Sequence, residues 1–451
     1  MIELRTGAIA AGGGCVARAT DGRVVFVRHS LPGERVLAEV TGETTSYLRA
    51  DAVEILDASL DRVAPPCPHA GAGRCGGCDW QHVTLRVQRA LKAQLIGEQL
   101  RRLAGVDRLV EVEEVPGGPE VVDGLGWRTR VRYAVDRSGR VGFHRHRSHD
   151  VEVVEHCLIA SPAVDGTGVA AHRWRGARSI EVLTSPEGGR PVVAVDTGRR
   201  RLGDRPAIDA GRVVNGRTER EPHRLTFAVL GRRYQVSAGV FWQVHPGAAP
   251  VLGQAVLDGL APVAGERVVD LYSGAGLFSA LLGRAVGPDG SVLAVERNGR
   301  ACSDAVRNTA DQPQVTVRRA DVTPELVAGE IGIPDLVVLD PAREGAGRAA
   351  MEALVRLDPP PRAVAYVSCD PASFARDLRV VLDAGWTVPT LRAFDLFPMT
   401  EHVELVGFLV PPGVMGGVAG QASRTDACRG MSVDDSPTEK RSVPRMVVHR
   451  P

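Results

Sequence analysis

Lysine is almost absent from this chain: of 55 basic residues, only Lys92 and Lys440 are not arginine. The 54 acidic residues leave a formal charge of +1, so no global basic field draws the protein onto nucleic acid. Any such contact must come from local arginine clusters, whose planar donors suit phosphates and base edges. Aromatic residues make up 4%, too few for a stacking sheet to be the main RNA-reading device. No apolar run reaches membrane-spanning length. The best candidate, residues 408–423, is broken by Pro411, Pro412 and glycines, so no membrane partner is expected. Residues 1–7 lack a basic stretch leading into an apolar one, and no secretory signal is expected. Eight unevenly spaced cysteines make no disulfide scaffold, and a soluble cytoplasmic protein is expected.

With 451 residues, the chain has length for two to four domains at roughly 150 residues each. Residues 1–57 read as a small OB-like β-barrel, with short strands such as Arg23–Arg28 and Arg35–Val40 separated by glycine turns. A linker ending at Pro65-Pro66 opens a mostly β central domain, 58–235, which holds one helical stretch at 84–104. From 236 to 411, apolar strands at 267–271, 292–296, 336–340 and 363–368 alternate with helical segments, the pattern of a parallel, Rossmann-like α/β sheet. Residues 412–451 are rich in glycine, serine and charge without periodicity, and are expected to be a disordered tail. A monomer is assumed.

Cys67, Cys75 and Cys78 lie in one glycine-rich loop. Glycines let a backbone curl around a metal, and the Cys75–Cys78 pair presents two thiolates to one centre. Cys157 is the natural fourth ligand, with His69 a competitor. By spacing alone, zinc and an iron–sulfur cluster stay equally open, and free thiols near a turn are the plain alternative.

Asp270-Leu-Tyr-Ser-Gly-Ala-Gly276 runs from a strand into a helix through a glycine turn, which lets backbone approach a ligand at the helix N-terminus. Glu296 ends the next strand, placed for ribose hydroxyls, and Asp321 ends a third, placed for an adenine ring. That arrangement suits NAD or S-adenosylmethionine, and Asp270 before the turn leans toward the methyl donor. Cys369 closes a strand at the edge where α/β sheets keep their active sites. A helix starting near Ser373 would lower its thiol pKa, although most lone cysteines are buried and inert. Leu339–Arg343 and Phe397–Glu404 end at the same edge, with Glu404 just before an apolar strand, where a solvated strand end is the alternative.

Taken together, the cysteine loop, Phe241-Trp-Gln243, Asp270–Gly274, Asp340–Arg343, Val367–Asp370 and Phe397–Glu404 resemble the uracil-C5 RNA methyltransferases, in the branch with a TRAM barrel and a [4Fe–4S] cluster. The resemblance spans residues 1 to about 411. It implies cluster ligands at Cys67, Cys75, Cys78 and Cys157. It further implies cofactor contacts at Gln243, Tyr272, Glu296 and Asp340, a nucleophile at Cys369 and a base at Glu404. It implies S-adenosylmethionine as donor and RNA as partner, ribosomal RNA before transfer RNA because barrel and cluster are both present. Three positions depart from the family pattern: His245 and Asp370 stand where asparagine is common, and the gap from Cys67 to Cys75 is wide. Cytosine-C5 methylation and a non-catalytic RNA-binding protein are the alternatives. RNA contacts are expected from Arg5, Arg18, Arg23, Arg28 and Arg49 on the barrel, and from a denser patch in which Arg128, Arg130 and Arg132 share a strand face.

Overall fold

A computed structural model describes residues 1–413, and the expected tail lies outside the described residues apart from Pro412 and Gly413. Five short strands form the N-terminal sheet, in the order 2–5, 35–43, 47–57, 24–28, 15–18. Alternation sets it up: Val25 and Val27 point inward with Val36, Ala38, Leu48 and Ala50, so each strand buries one face. Backbone hydrogen bonds between Gly7 or Ala8 and Val16 link the first strand's end to the 15–18 edge strand.

The middle of the chain forms a seven-stranded sheet, 217–220, 211–214, 192–196, 179–183, 130–135, 141–144, 151–153. Its core gathers Val131, Tyr133, Val141, Trp174, Ile180 and Val182. The C-terminal region is an eight-stranded sheet ordered 315–319, 291–296, 267–271, 336–339, 363–368, 404–410, 387–395, 112–114. The first five strands run parallel, and 404–410 enters antiparallel to its neighbours. These strands are apolar end to end because helices cover both faces, leaving no solvent side to mark with polar residues. The strand order reverses between 267–271 and 336–339, which opens a crevice at the strands' carboxyl ends.

Two segments of the expected central domain belong to this C-terminal layer. The helix Leu85–Gln99, extended by one wide turn to Ala104, packs its Ile96 and Leu100 into the same core as Phe374, Leu378 and Val381. Strand 112–114 then adds to the sheet edge beside 393–395. The hairpin 224–237 likewise packs on the helix Gly299–Asn308, with Ser237 N donating to Asp304 at 2.7 Å and Gln235 N to Asn308 Oδ1 at 2.8 Å. Among the described residues, no helix is long and apolar enough to cross a membrane.

Lys92, on the Leu85–Gln99 helix, is wholly buried and lies 2.6 Å from the equally buried Asp395. Removing one member of such a pair strands a charge in the interior, typically costing about 3–5 kcal/mol. Lys92→Met is therefore expected to lower the urea midpoint by that order, and adding Asp395→Asn to restore much of the loss, at an unchanged denaturant slope.

Candidate active site

The crevice at the switch point holds a cavity of about 660 Å³. Gln243, Tyr272, Glu296, Asp321 and Asp340, the expected cofactor residues, all line it, as do Cys369 and Glu404. Strand 267–271 delivers the cofactor loop. Its next residue, Tyr272, has φ +65°, and Gly274 follows at +55° and Gly276 at +86°, left-handed backbone that glycine adopts without cost. A Cβ on Gly274 would meet nothing within 4 Å, whereas one on Gly276 would press Ala305 at 3.2 Å. One glycine therefore leaves the cavity open, and the other lets a helix approach.

Glu296 closes the turn from the neighbouring strand: one carboxylate oxygen accepts Gly274 N at 3.1 Å, the other Asn298 N at 2.6 Å. Asp321 is exposed on the far rim, 3.5 Å from Arg297. Asp270 is completely buried and accepts Ser279 Oγ at 2.5 Å. Its other oxygen and the buried Ser273 Oγ have no partner in the protein. Ser273 lines the cavity, and its orphaned hydroxyl beside the open Gly274 cradle is what a polar cofactor bound there would satisfy, so this loop fits a nucleoside-bearing methyl donor.

Around the reacting end the cavity is unusually hostile to negative charge. Burial, then neighbouring Asp270, pushes the Asp340 carboxyl up to about 7. Burial, then Asp340, raises Glu404 well above the usual carboxylate range. Cys369 is pushed up to about 12 by burial and then by Glu404, while Arg343 pulls it down. The helix expected near Cys369 is there, at Pro371–Asp383, with Asp370 capping it through Ser373 N at 2.7 Å. The thiol nonetheless ends above its ordinary value, with burial as the largest cause. Aspartate at 370 does the capping that asparagine would do.

Sequence reasoning quoted Arg343 and His402 only inside motifs, but the structure joins them. Arg343 Nη2 lies 2.8 Å from His402 Nδ1, and since arginine only donates, the imidazole accepts and is neutral. Burial, then Arg343, pushes His402 down to about 4. Nothing in the spacing of the two motifs signals this pair.

The four cysteines Cys67, Cys75, Cys78 and Cys157 are free and half-buried. Burial raises the thiols of Cys75, Cys78 and Cys157, and neighbouring thiols add to it: Cys67 on Cys75, Cys157 and Cys75 on Cys78, and Cys75 on Cys157. The loop is pressed on the edge of the central sheet: Cys75 bridges Arg145, Gly76 N donates to His144 O at 3.1 Å, and a Cβ on Gly76 would meet His146 backbone at 3.0 Å. Even so, among the described residues no group of three or more His, Cys, Asp or Glu side chains is arranged to hold a metal ion. Cys78 and Cys157, remote in sequence from the chemistry, pack with Trp127, Phe397 and Met399.

The expected phosphate-binding face is largely spent on internal pairing. Arg132 sits opposite Glu181 across the sheet, and both it (3.2 Å) and Arg130 (2.9 Å) pair with that buried carboxylate, while Arg130 also donates to Val240 O at 2.7 Å. On the barrel, Arg23 pairs with Asp21 and Glu43, and Arg28 with Asp79.

A TRAM-domain model matches residues 8–53. An uncharacterized RNA methyltransferase of Streptomyces avermitilis is 47% identical over 91% of this chain and 98% of its own length. The 23S rRNA (uracil(1939)-C(5))-methyltransferase RlmD of Halomonas elongata is 33% identical over 91% of this chain and 89% of its own. Among solved structures, the Pyrococcus abyssi tRNA (uracil-54, C5)-methyltransferase, in complex with S-adenosyl-L-homocysteine, superposes with a TM-score of 0.67 at 22% identity, covering 91% of this chain and all of that one.

Asp270 gives a pH test. Its carboxyl is pushed up to about 7 by burial, above an unfolded value of about 4, so the folded protein holds a proton that the unfolded chain releases. Its contribution is intact below pH ~4, declines as pH rises to about 7, and is level above. The stability of Asp270→Asn relative to wild type should therefore rise between pH 5 and 7 and then plateau, measured by urea unfolding without ligand.

Proposed function

The chain belongs to the RNA uracil-C5 methyltransferases, and on that footing we propose that it methylates C5 of a uridine in large-subunit ribosomal RNA through a covalent Cys369 adduct. The observation that carries the reading is the convergence of Cys369, Glu404, Asp340 and the 270–276 loop on one cavity. The 33% identity to the Halomonas 23S rRNA enzyme and the barrel favour the ribosomal target; the transfer RNA enzyme shares the fold at lower identity.

Uracil C5 is too weak a nucleophile to take a methyl group unaided. Cys369, deprotonated, adds through sulfur to C6, and the C5=C6 electron pair moves into an enolate. Gln243, Tyr272, Glu296, Asp321 and Asp340 would hold S-adenosylmethionine, which would supply C5 with a sulfonium-activated methyl group and leave as S-adenosylhomocysteine. Glu404 as carboxylate then takes the C5 proton, and the released pair re-forms the double bond and expels the Cys369 thiolate from C6. Arg343 beside the thiol favours its ionised form, and the high affinity of Glu404 for a proton makes it a strong base once ionised. A target uridine in folded RNA must leave its stack to enter so enclosed a site.

The cysteine loop we assign to the [4Fe–4S] branch with a structural role for the cluster: Cys67, Cys75 and Cys78 on the glycine-rich loop and Cys157 after strand 151–153 are free thiols of the donor type a cluster takes, and would have to draw together to bind it. Metal bound only by the folded state stabilises that state.

Two measurements test these readings. A large-subunit ribosomal RNA transcript containing 5-fluorouridine should trap a denaturation-resistant protein–RNA adduct in the presence of S-adenosylmethionine, because fluorine cannot leave as a proton does, whereas a transfer RNA transcript so labelled should trap none, and the reverse would overturn the ribosomal target. Cys369→Ser should give none; an adduct at another residue, or none in wild type, would refute the mechanism. Anaerobically purified protein should contain iron and sulfide, and Cys157→Ala should lose both, with weaker RNA binding but intact donor binding. Zinc in their place would refute the cluster.

A further inference from the structure

The connection between strands Thr387–Asp395 and Glu404–Val410 carries Phe397, part of the cavity wall, and delivers Glu404. At its turn Met399 has φ +68°, a conformation that a non-glycine residue keeps only where its surroundings enforce it. Those surroundings come from far upstream. Gln88, on the Leu85–Gln99 helix, is wholly buried, and its Oε1 accepts Met399 N at 2.8 Å. Its Nε2 donates to Trp80 O at 3.0 Å and Val83 O at 2.8 Å, so the side chain is anchored before it reaches the loop. The Met399 carbonyl is held as well, accepting Asp79 N at 3.1 Å and Trp80 N at 3.0 Å. One helical turn beyond Gln88, Lys92 Nζ donates to Phe397 O at 3.0 Å as well as to Asp395. Both peptide groups of Met399, and the carbonyl of Phe397, are thus fixed from one upstream segment.

We infer that Gln88 is a positioning residue for C5 deprotonation: by enforcing the Met399 turn it sets Phe397 and Glu404 against the uracil adduct on Cys369. This rests on the reaction proposed above. Gln88 is too far along the connectivity to take part itself. It does not line the cavity, and its four side-chain hydrogen bonds all end on the 80–83 segment or on Met399, whose sulfur Nε2 also reaches at 3.4 Å. Displacement of a catalytic group by about 1 Å can cost on the order of a hundredfold in rate. The loss should fall on the step that uses Glu404, after methyl transfer, and spare donor binding, which uses other loops.

The test compares wild type, Gln88→Met and Gln88→Glu as full-length proteins. Methionine keeps the chain length and removes all four bonds; glutamate retains an acceptor for Met399 N. Calorimetric titration with S-adenosylmethionine should give affinities within about twofold of wild type. Single turnovers on a transcript with ordinary or 5-deuterated uridine should then show product formation slowed at least tenfold in Gln88→Met. They should also show a larger deuterium effect, and a covalent protein–RNA species accumulating on denaturing gels without any fluorine. Gln88→Glu should lie between the two. A general loss of fold would reduce the active fraction but change neither the isotope effect nor the adduct level. An isotope effect and adduct level equal to wild type in both variants would overturn the inference, as would loss of donor binding in both. If wild type itself traps no 5-fluorouridine adduct, the reaction is wrong and the inference falls with it. If wild type traps it and both variants match wild type, the inference alone fails.

Discussion

A buried ammonium, 2.6 Å from a buried carboxylate, ties together two parts of the chain that are 303 residues apart. In a protein that uses arginine almost everywhere else, Lys92 keeps the smaller cation. The reason is geometric: a compact ammonium with three rotatable donors can satisfy one Asp395 oxygen and the Phe397 carbonyl in a closed space, where a planar guanidinium would present five donors in a fixed fork. Such a pair adds little net stability over a well-packed apolar substitute. Its value lies in register: with Lys92 docked on Asp395, Gln88 one turn earlier is aligned with the Met399 peptide of the segment that leads to Glu404.

The cavity follows a second electrostatic logic. Asp270, Asp340 and Glu404 are acids that burial keeps protonated further up the pH scale than water would, and each raises the next. A site that penalises its own negative charge gains most from a cationic occupant, since one positive charge relieves several carboxyls at once. The same desolvation holds Cys369 as a thiol until something changes around it. A thiol held protonated reacts slowly with oxidants and alkylating agents. Its activation then depends on Arg343 and on what fills the cavity.

Much of this was legible in the residues. Uninterrupted apolar runs such as Leu336–Leu339 and Ala363–Ser368 can only be strands covered on both faces, and their carboxyl ends fix where Asp340 and Cys369 must sit. Turn chemistry marked the 270–276 loop for the same reason. What escaped was pairing across distance. Alternation puts Arg130 and Arg132 of strand 130–135 on the face of Glu181, while Arg128 lies before the strand begins; a strand's own sequence does not name its neighbour, and Glu181 cancels part of the charge. The helical period of 85–99 was equally plain, yet a period says only that a face is buried, not against which core. Gln88 and Lys92 broke that face with polar groups, the one signal that the helix met something other than apolar packing.

That signal generalises to the way the parts are joined. The tip of the barrel reaches the same loop, Gly12 N donating to Glu401 at 2.6 Å while Trp80 Nε1 donates to Gly13 O at 2.8 Å. A Cβ on Gly13 would press Asp79 and Glu401 at 3.2 and 3.3 Å, so the tip needs glycine to approach at all. Cys78 and Cys157 pack on Met399 from another side. Barrel, cysteine loop and helix thus converge on residues 397–401, immediately before Glu404. Accessory parts built only to grip RNA could be attached anywhere on the surface. Parts that share residues 397–401 as their common docking point constrain that segment, and each is joined to it by a few hydrogen bonds.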